Sequence, residues 1–301
     1  MKKVMLILAA TCMTVAANAK ILRVSNVSGS SAPYSSIEAA HDAASAGDTI
    51  MVDASPTRYG NDFTITLTKK VVLLGPGYWL VDNGVMEEGT SGASIYTLTI
   101  KASETVVKGI TITSGLKIQA PKVVINRCHI NGIDISKACD NVVITQSYIV
   151  NKIDGNTSNY HQITNNIFIN TSNYGHITGM NNSNISFNTC RSAIFQSSAT
   201  NSTFKHNLWK KFEDKGSNNS VIDNYETDII NTQATNDFID KDYYALEIPA
   251  DVINKYGAFA GDSPYVLSGV PSGPVIQDLV VPTTVEMGSK MNVTVKIGMV
   301  R

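Results

Sequence analysis

"INRCHI" (125–130), "ITQSYI" (144–149), "ITNNIF" (163–168), "ISFNTC" (185–190) and "FKHNLW" (204–209) share one pattern, with an apolar residue in the first and sixth places. Together with "VKGITI" (107–112) and "VIDNYE" (221–226), their starts lie 18, 19, 19, 22, 19 and 17 residues apart. A self-similar unit of this length marks a solenoid, in which each unit hides its apolar face by stacking on the next. The first column is Val107, Ile125, Ile144, Ile163, Ile185, Phe204 and Val221, and the sixth is Ile112, Ile130, Ile149, Phe168, Cys190, Trp209 and Glu226. The fourth column runs Ile110, Cys128 and Ser147, then Asn166, Asn188, Asn207 and Asn224. Asn tolerates the left-handed conformation of a turn and its amide stacks on the next, so this column predicts an asparagine ladder.

Outside these units lie "LKI" (116–118), "IDI" (133–135), "KID" (152–154), "GHIT" (175–178) and "AIFQ" (193–196), which read as further short strands. Each repeat then holds about three strands with Gly, Asn and Ser turns, and no helix fits between them. Parallel strands need a long return path, and here the coil itself supplies it. The leucine-rich horseshoe has an overlapping period of about 20–29 residues. It places its Asn after a Leu-x-Leu strand, whereas here Asn falls three places after the first apolar residue.

Towards the N-terminus, "PYSSIEAAHDAASAGDTIMV" (33–52) reads as a short helix followed by a strand. Ser35 and Glu38 make a capping box, and Ile37, Ala40 and Ala44 form a narrow apolar stripe that leaves Glu38, His41 and Asp42 pointing elsewhere. Gly47 ends the helix and "TIMV" begins the sheet. Residues 1–19, "MKKVMLILAATCMTVAANA", have the basic start, short apolar run and small-residue end of a secretory signal with cleavage after Ala19. That predicts a secreted, periplasmic or cell-surface protein with no transmembrane segment. Without Lys2 and Lys3, 22 of the 24 basic residues face 25 acidic ones, a net charge of −3. With no basic block to track phosphates, nucleic acid is excluded as a partner. Cys128, Cys139 and Cys190 allow at most one disulfide and have no zinc spacing, and two of them occupy repeat core columns, so buried free thiols are expected.

The chain resembles the right-handed parallel β-helix proteins of the pectin-lyase-like superfamily. "YSSIEAAHDAASAGDTIMV" (34–52) looks like the helix and first strand that open such proteins, and "NVVITQSYIVN" (141–151) and "NSTFKHNLWKK" (201–211) look like their coils. The resemblance implies an all-β, right-handed, single-stranded parallel β-helix over residues 20–268, closed at its start by a capping helix at about 36–45. After about residue 268, "SGVPSGPVIQDLVVPTTVEMGSKMNVTV" carries three prolines and two alternating stretches. Residues 269–301 therefore read as a C-terminal β extension too short for a sandwich domain, packing along or over the last coils.

In polysaccharide-active members of that superfamily the substrate lies along one strand face. The resemblance therefore implies an outward stack of Lys117, Asp134, Lys152 and His176, flanked by Asp154, Thr178 and Arg191, with Tyr160 and Tyr174 in polar loops beside it. Lys152, His176 and Asp134 are the catalytic candidates, and Lys117, Asp154, Arg191, Tyr160 and Tyr174 the substrate-binding ones. Alternating Lys and Asp on neighbouring strands is also how an exposed sheet face avoids like-charge repulsion. "YGHITG" (174–179) partly resembles the Gly-His-Gly of polygalacturonases, but Ile177 replaces the second Gly, and the Asp pair, Asn-Thr-Asp and Arg-Ile-Lys motifs are absent. An inverting hydrolase needs two carboxyl groups across the bond, so a lyase is the better enzymatic reading. It would use Lys, Arg or His as base and calcium as electrophile; otherwise no cofactor or metal is expected. His129, His161 and His206 read as surface or turn residues. Three functions follow from these residues: a polysaccharide-binding cell-envelope protein, a lyase acting on a uronic-acid glycan, and a structural or adhesive protein with a cell-surface protein partner.

Overall fold

The computed structural model describes residues 19–80, 92–169, 175–192, 194–227, 249–280, 290–291 and 293–300. The predicted signal segment falls almost entirely outside these residues. The chain winds into a parallel β-helix. One face is a ten-stranded parallel sheet running from Ile21–Val24 and Thr49–Val52 to Thr203–Lys205 and Ser220–Ile222. Val107, Ile125, Ile144, Ile163, Ile185 and Phe204 are register partners on successive strands and are fully buried. Each such side chain contributes about 1.5–3 kcal/mol by leaving water. Val221, on the last strand of that sheet, is 43% exposed.

The asparagine ladder is present. The Oδ1 atoms of Asn188, Asn207 and Asn224 accept the backbone N–H of Asn166, Asn188 and Asn207 at 3.0, 2.9 and 2.9 Å. Their Nδ2 groups donate to the carbonyls of Ile163, Ile185 and Phe204. The left-handed residue, however, is the one before each fourth-column residue: Arg127, Gln146, Asn165, Phe187, His206 and Asp223 all have φ between 49° and 57°. That turn points the next backbone N–H along the helix axis, where only a side-chain acceptor of the following coil reaches it. A second ladder, unforeseen from the sequence, closes the other edge of the same sheet. There Val142 N–H donates to His161 Nδ1, His161 N–H to Ser183 Oγ, Ser183 N–H to Ser202 Oγ and Ser202 N–H to Asn219 Oδ1. His161 is thus a buried turn residue with an assigned structural task.

The cap helix spans Ile37–Ala43, shorter than expected, and its N-cap is Ser36, whose hydroxyl accepts from Ala39 N–H at 3.2 Å. Ser35 does not cap it. Ile37, Ala40 and Ala44 face the core as predicted. His41 does not point to solvent: it is buried, and its Nε2 accepts from the N–H groups of Thr68 and Lys69, tying the cap to the coil below. The three described cysteines are buried free thiols, and burial pushes Cys128 and Cys190 up to about 12.

Residues 255–270 run back along the left-handed turns as a strap. Lys255 and Tyr256 meet Asp223, Gly257 N–H donates to His206 O, Asn165 Nδ2 donates to Ala258 O and Ala260 O, Gln146 to Pro264 O and Arg127 to Val270 O. Ala258, Tyr265 and Leu267 pack with Tyr78, Tyr148 and Ile167. A Cβ on Gly257 would sit 2.5 Å from Thr189 Oγ1, and φ is +81° there, so only glycine fits this close approach. Beyond the strap, Gly273–Val280 and Thr294–Val300 pair as an antiparallel hairpin.

Candidate functional site: a corner groove

Strand Thr111–Ile118 is a branch point. Thr111 and Ile112 pair with His129 and Ile130, while Leu116, Lys117 and Ile118 pair with Ile133, Asp134 and Ile135. Residues 113–115 belong to neither pairing, and on the next two coils the same gap is Asn131–Gly132 and 150–152. The residues that flank the gap, Ile112 and Leu116, Ile130 and Ile133, Ile149 and Ile153, are all buried. The backbone must therefore turn a corner between two inward-facing anchors, and the corner opens outward as a groove of about 530 Å³.

Gly115 and Gly132 make its floor. A Cβ on either would come no nearer than 3.8 or 3.6 Å to other atoms, so the floor is open because side chains are missing there. Asn131 and Asn151 stitch the corner: Asn151 Nδ2 donates to Asn131 Oδ1 at 2.7 Å and Asn131 Nδ2 to Ser114 O at 2.9 Å. Lys117, Asp134, Lys152 and Asp154 complete the lining.

The outward stack differs from the expected one. Asp134 pairs in register with Lys117 on one side and Asp154 on the other, and Asp154 pairs with Thr178. Because Ile153 and Ile177 are the inward residues of their strands, Lys152 and His176 fall one position too early and belong to the corner. Lys152 Nζ is ion-paired to Asp154 Oδ2 at 2.7 Å. Burial opposes ionisation of Asp154, but the Lys152 contact and the Asn156 N–H outweigh it and hold the carboxyl below its ordinary value. Asn156, at φ 43° in a bulge that shifts the register after Asp154, links both acids: its side chain donates to Asp134 Oδ1 at 2.6 Å and its N–H to Asp154 Oδ1 at 3.2 Å. Lys117 is exposed and has no hydrogen-bonded or ionic partner among the described residues.

The other predicted residues lie elsewhere. His176 is buried rather than outward-facing: its Nδ1 accepts from Gln196 N–H at 3.2 Å, its Nε2 lies 3.1 Å from Ser192 Oγ, and its ring stacks on Phe195 at 4.9 Å. The coil there fills its interior with Phe168, Phe195 and the imidazole, so His176 does not reach a ligand in the groove. Arg191 is buried beside the Tyr148 phenol instead of flanking the groove. Tyr160 is 58% exposed but occupies a left-handed turn after strand Ile153–Asn159, outside the groove lining. Tyr174 lies outside the described residues. Sequence reading missed Ser114, Asn131, Gly132, Asn151 and Asn156; the recurrence of an Asn at the same place in "HING" (129–132) and "YIVNK" (148–152) was the available signal.

Among the described residues no group of three or more His, Cys, Asp or Glu side chains is arranged to hold a metal, and no helix is long and apolar enough to cross a membrane. Comparison of the chain with protein-family models, with curated proteins and with solved structures finds no match.

Proposed function

We propose that this chain is an exported carbohydrate-binding protein, a β-helix of the pectin-lyase-like kind, that holds a polysaccharide along the corner groove. The observation that carries this reading is the open glycine floor flanked by amides, ammonium groups and carboxylates on successive coils about 4.8 Å apart. Sugars expose closely spaced hydroxyls that both donate and accept. Asp134 and Asp154 supply acceptors, Lys117 and Lys152 donors, and Asn131 and Asn151 both. The sequence of residues 1–19 supports export. A glycan array of the exported chain, repeated with Gly132→Leu, tests the proposal. The substitution fills the groove at a position with space for a Cβ, so a bound glycan should be lost while the melting temperature holds. Binding that survives Gly132→Leu refutes the groove as the site.

A lyase acting on a uronic-acid glycan is the second reading, favoured by the unpaired Lys117 next to Asp134. It puts the base at Lys117 instead of His176, and calcium, if used, between Asp134 and Asp154. Unsaturated product that disappears in Lys117→Gln would establish it.

A further inference from the structure

The corner does not end at Gly115. On the preceding coil, strand Ser94–Ile100 pairs Ile95 with Ile112 and Thr97 with Gly115, so Tyr96 occupies the corner beside Thr113 and Ser114. One coil further towards the N-terminus, Tyr59 pairs with Ile95 and Thr64 with Thr97, which puts residues 60–63 at the same corner. Phe63 is 69% and Tyr96 38% exposed. Their rings meet edge-on at 5.3 Å, and the Arg58 guanidinium lies 5.0 Å from the Tyr96 ring centroid and 5.9 Å from that of Phe63. Arg58, like Lys117, has no carboxylate partner among the described residues. Both rings stand in water although buried positions for large side chains abound in the coils, and two exposed aromatics in contact make a patch where scattered ones do not.

We infer that Phe63, Tyr96 and Arg58 form a stacking subsite continuous with the groove, and that the ligand is an acidic oligosaccharide. This inference rests on the carbohydrate-binding reading above. Phe63, Tyr96, Ser114–Gly115, Asn131–Gly132 and Lys152 follow one another over five coils, a track of about 19 Å at the spacing of parallel strands. A track of that length takes several sugar units rather than one. The rings offer apolar faces to the C–H face of a pyranose, and the cations differ along the track. In the C-terminal part Lys152 is neutralised by Asp154 and Lys117 has Asp134 beside it in register, whereas Arg58 at the N-terminal end has no carboxylate partner among the described residues and is open to a carboxylate or sulfate. A neutral glycan would leave Arg58 without a counter-charge, and a flat apolar partner would leave the polar half of the track unmatched. An acidic sugar chain matches both halves.

The full chain is titrated by calorimetry with three probes: an oligogalacturonate (carboxylated), a heparin-derived oligosaccharide (sulfated) and a cello-oligosaccharide (neutral). One or both acidic probes should bind, more weakly as salt rises. Phe63→Ala and Tyr96→Ala should each weaken binding about 3- to 10-fold, and Arg58→Gln should erase the preference over the neutral probe. Which acidic probe binds distinguishes carboxylate from sulfate. If Gly132→Leu abolishes binding while Phe63→Ala, Tyr96→Ala and Arg58→Gln all bind as the parent does, the subsite is overturned and the groove stands. A preference for the neutral probe also overturns it. If no probe binds, or if Gly132→Leu changes nothing, the carbohydrate-binding reading fails and this inference with it.

Discussion

Replacing Asn188 by Leu tests whether the ladder holds the coils in place or only decorates them. Asn188 is 2% exposed. Its Oδ1 accepts from Asn166 N–H at 3.0 Å and from Asn166 Nδ2 at 3.1 Å, and its Nδ2 donates to Ile163 O at 2.8 Å, Ser186 O at 3.1 Å and Asn207 Oδ1 at 3.1 Å. Leucine has similar volume, so no cavity is created. The Asn166 side chain keeps its bond to Ile144 O, and Asn207 Oδ1 keeps the Asn188 N–H. The Asn166 backbone N–H is left without an acceptor in the interior, which costs about 1–3 kcal/mol. At about 2–4 °C per kcal/mol for a domain of this size, the melting temperature should fall by several degrees in a calorimetric scan. Asn224→Leu is the internal control: Asn224 lies on the outermost coil of the ladder and is only half-buried, so water replaces part of what it loses, and the fall should be smaller. An unchanged melting temperature in Asn188→Leu, or a larger loss in Asn224→Leu, would refute the assignment of stability to the ladder.

Burial lowers His161 and His129 to about 4. The unfolded chain, titrating near 6.5, then takes up protons that the fold refuses, so stability should decline as pH falls from about 6.5 to 4 and level off below, by up to about 3 kcal/mol per group. His161→Gln should flatten that slope in melting temperatures taken across the range. The strap has its own acid response. Hydrogen bonds from Tyr256, His206 and Lys255 hold Asp223 down to about 2, so its contribution is complete above its ordinary value of 3.8 and disappears as pH falls towards 2. Asp223→Asn should make pepsin cleavage within 255–270 insensitive to pH over that window. Gly257→Ala, which places a methyl group against Thr189 and Leu208, should expose the same segment to protease at neutral pH with the coils intact by circular dichroism. Lys117→Gln should weaken glycan binding and its salt dependence without lowering the melting temperature, because an exposed unpaired lysine contributes little to folding.

The repeat was enough to make the coil legible. Apolar columns recurring every 17–22 residues, with Asn stacked between them, have no other way to be buried than by parallel stacking, and Ile125, Ile144, Ile163 and Asn188 lie where the repeat puts them. The cap stripe of Ile37, Ala40 and Ala44 was legible for the same reason, since periodicity reports which face is covered. The direction of single side chains at corners and turns depends on how neighbouring coils pack. His176 and Lys152 both precede an inward Ile by one residue, yet one ring fills the interior beside Phe195 and the other side chain lines the groove, according to the space each coil leaves. His41, His161 and Arg191 read as polar and therefore exposed, but they are buried where a backbone N–H or a phenol gives them a partner. The fifth column, His129, Tyr148, Ile167, Thr189 and Leu208, points outward by alternation, yet Tyr148, Ile167, Thr189 and Leu208 are buried because the returning segment covers them. Strap contacts such as Asp223–Lys255, 32 residues apart, and Arg127–Val270, 143 apart, have no period to announce them, and neither does a groove whose floor is two missing side chains on different coils.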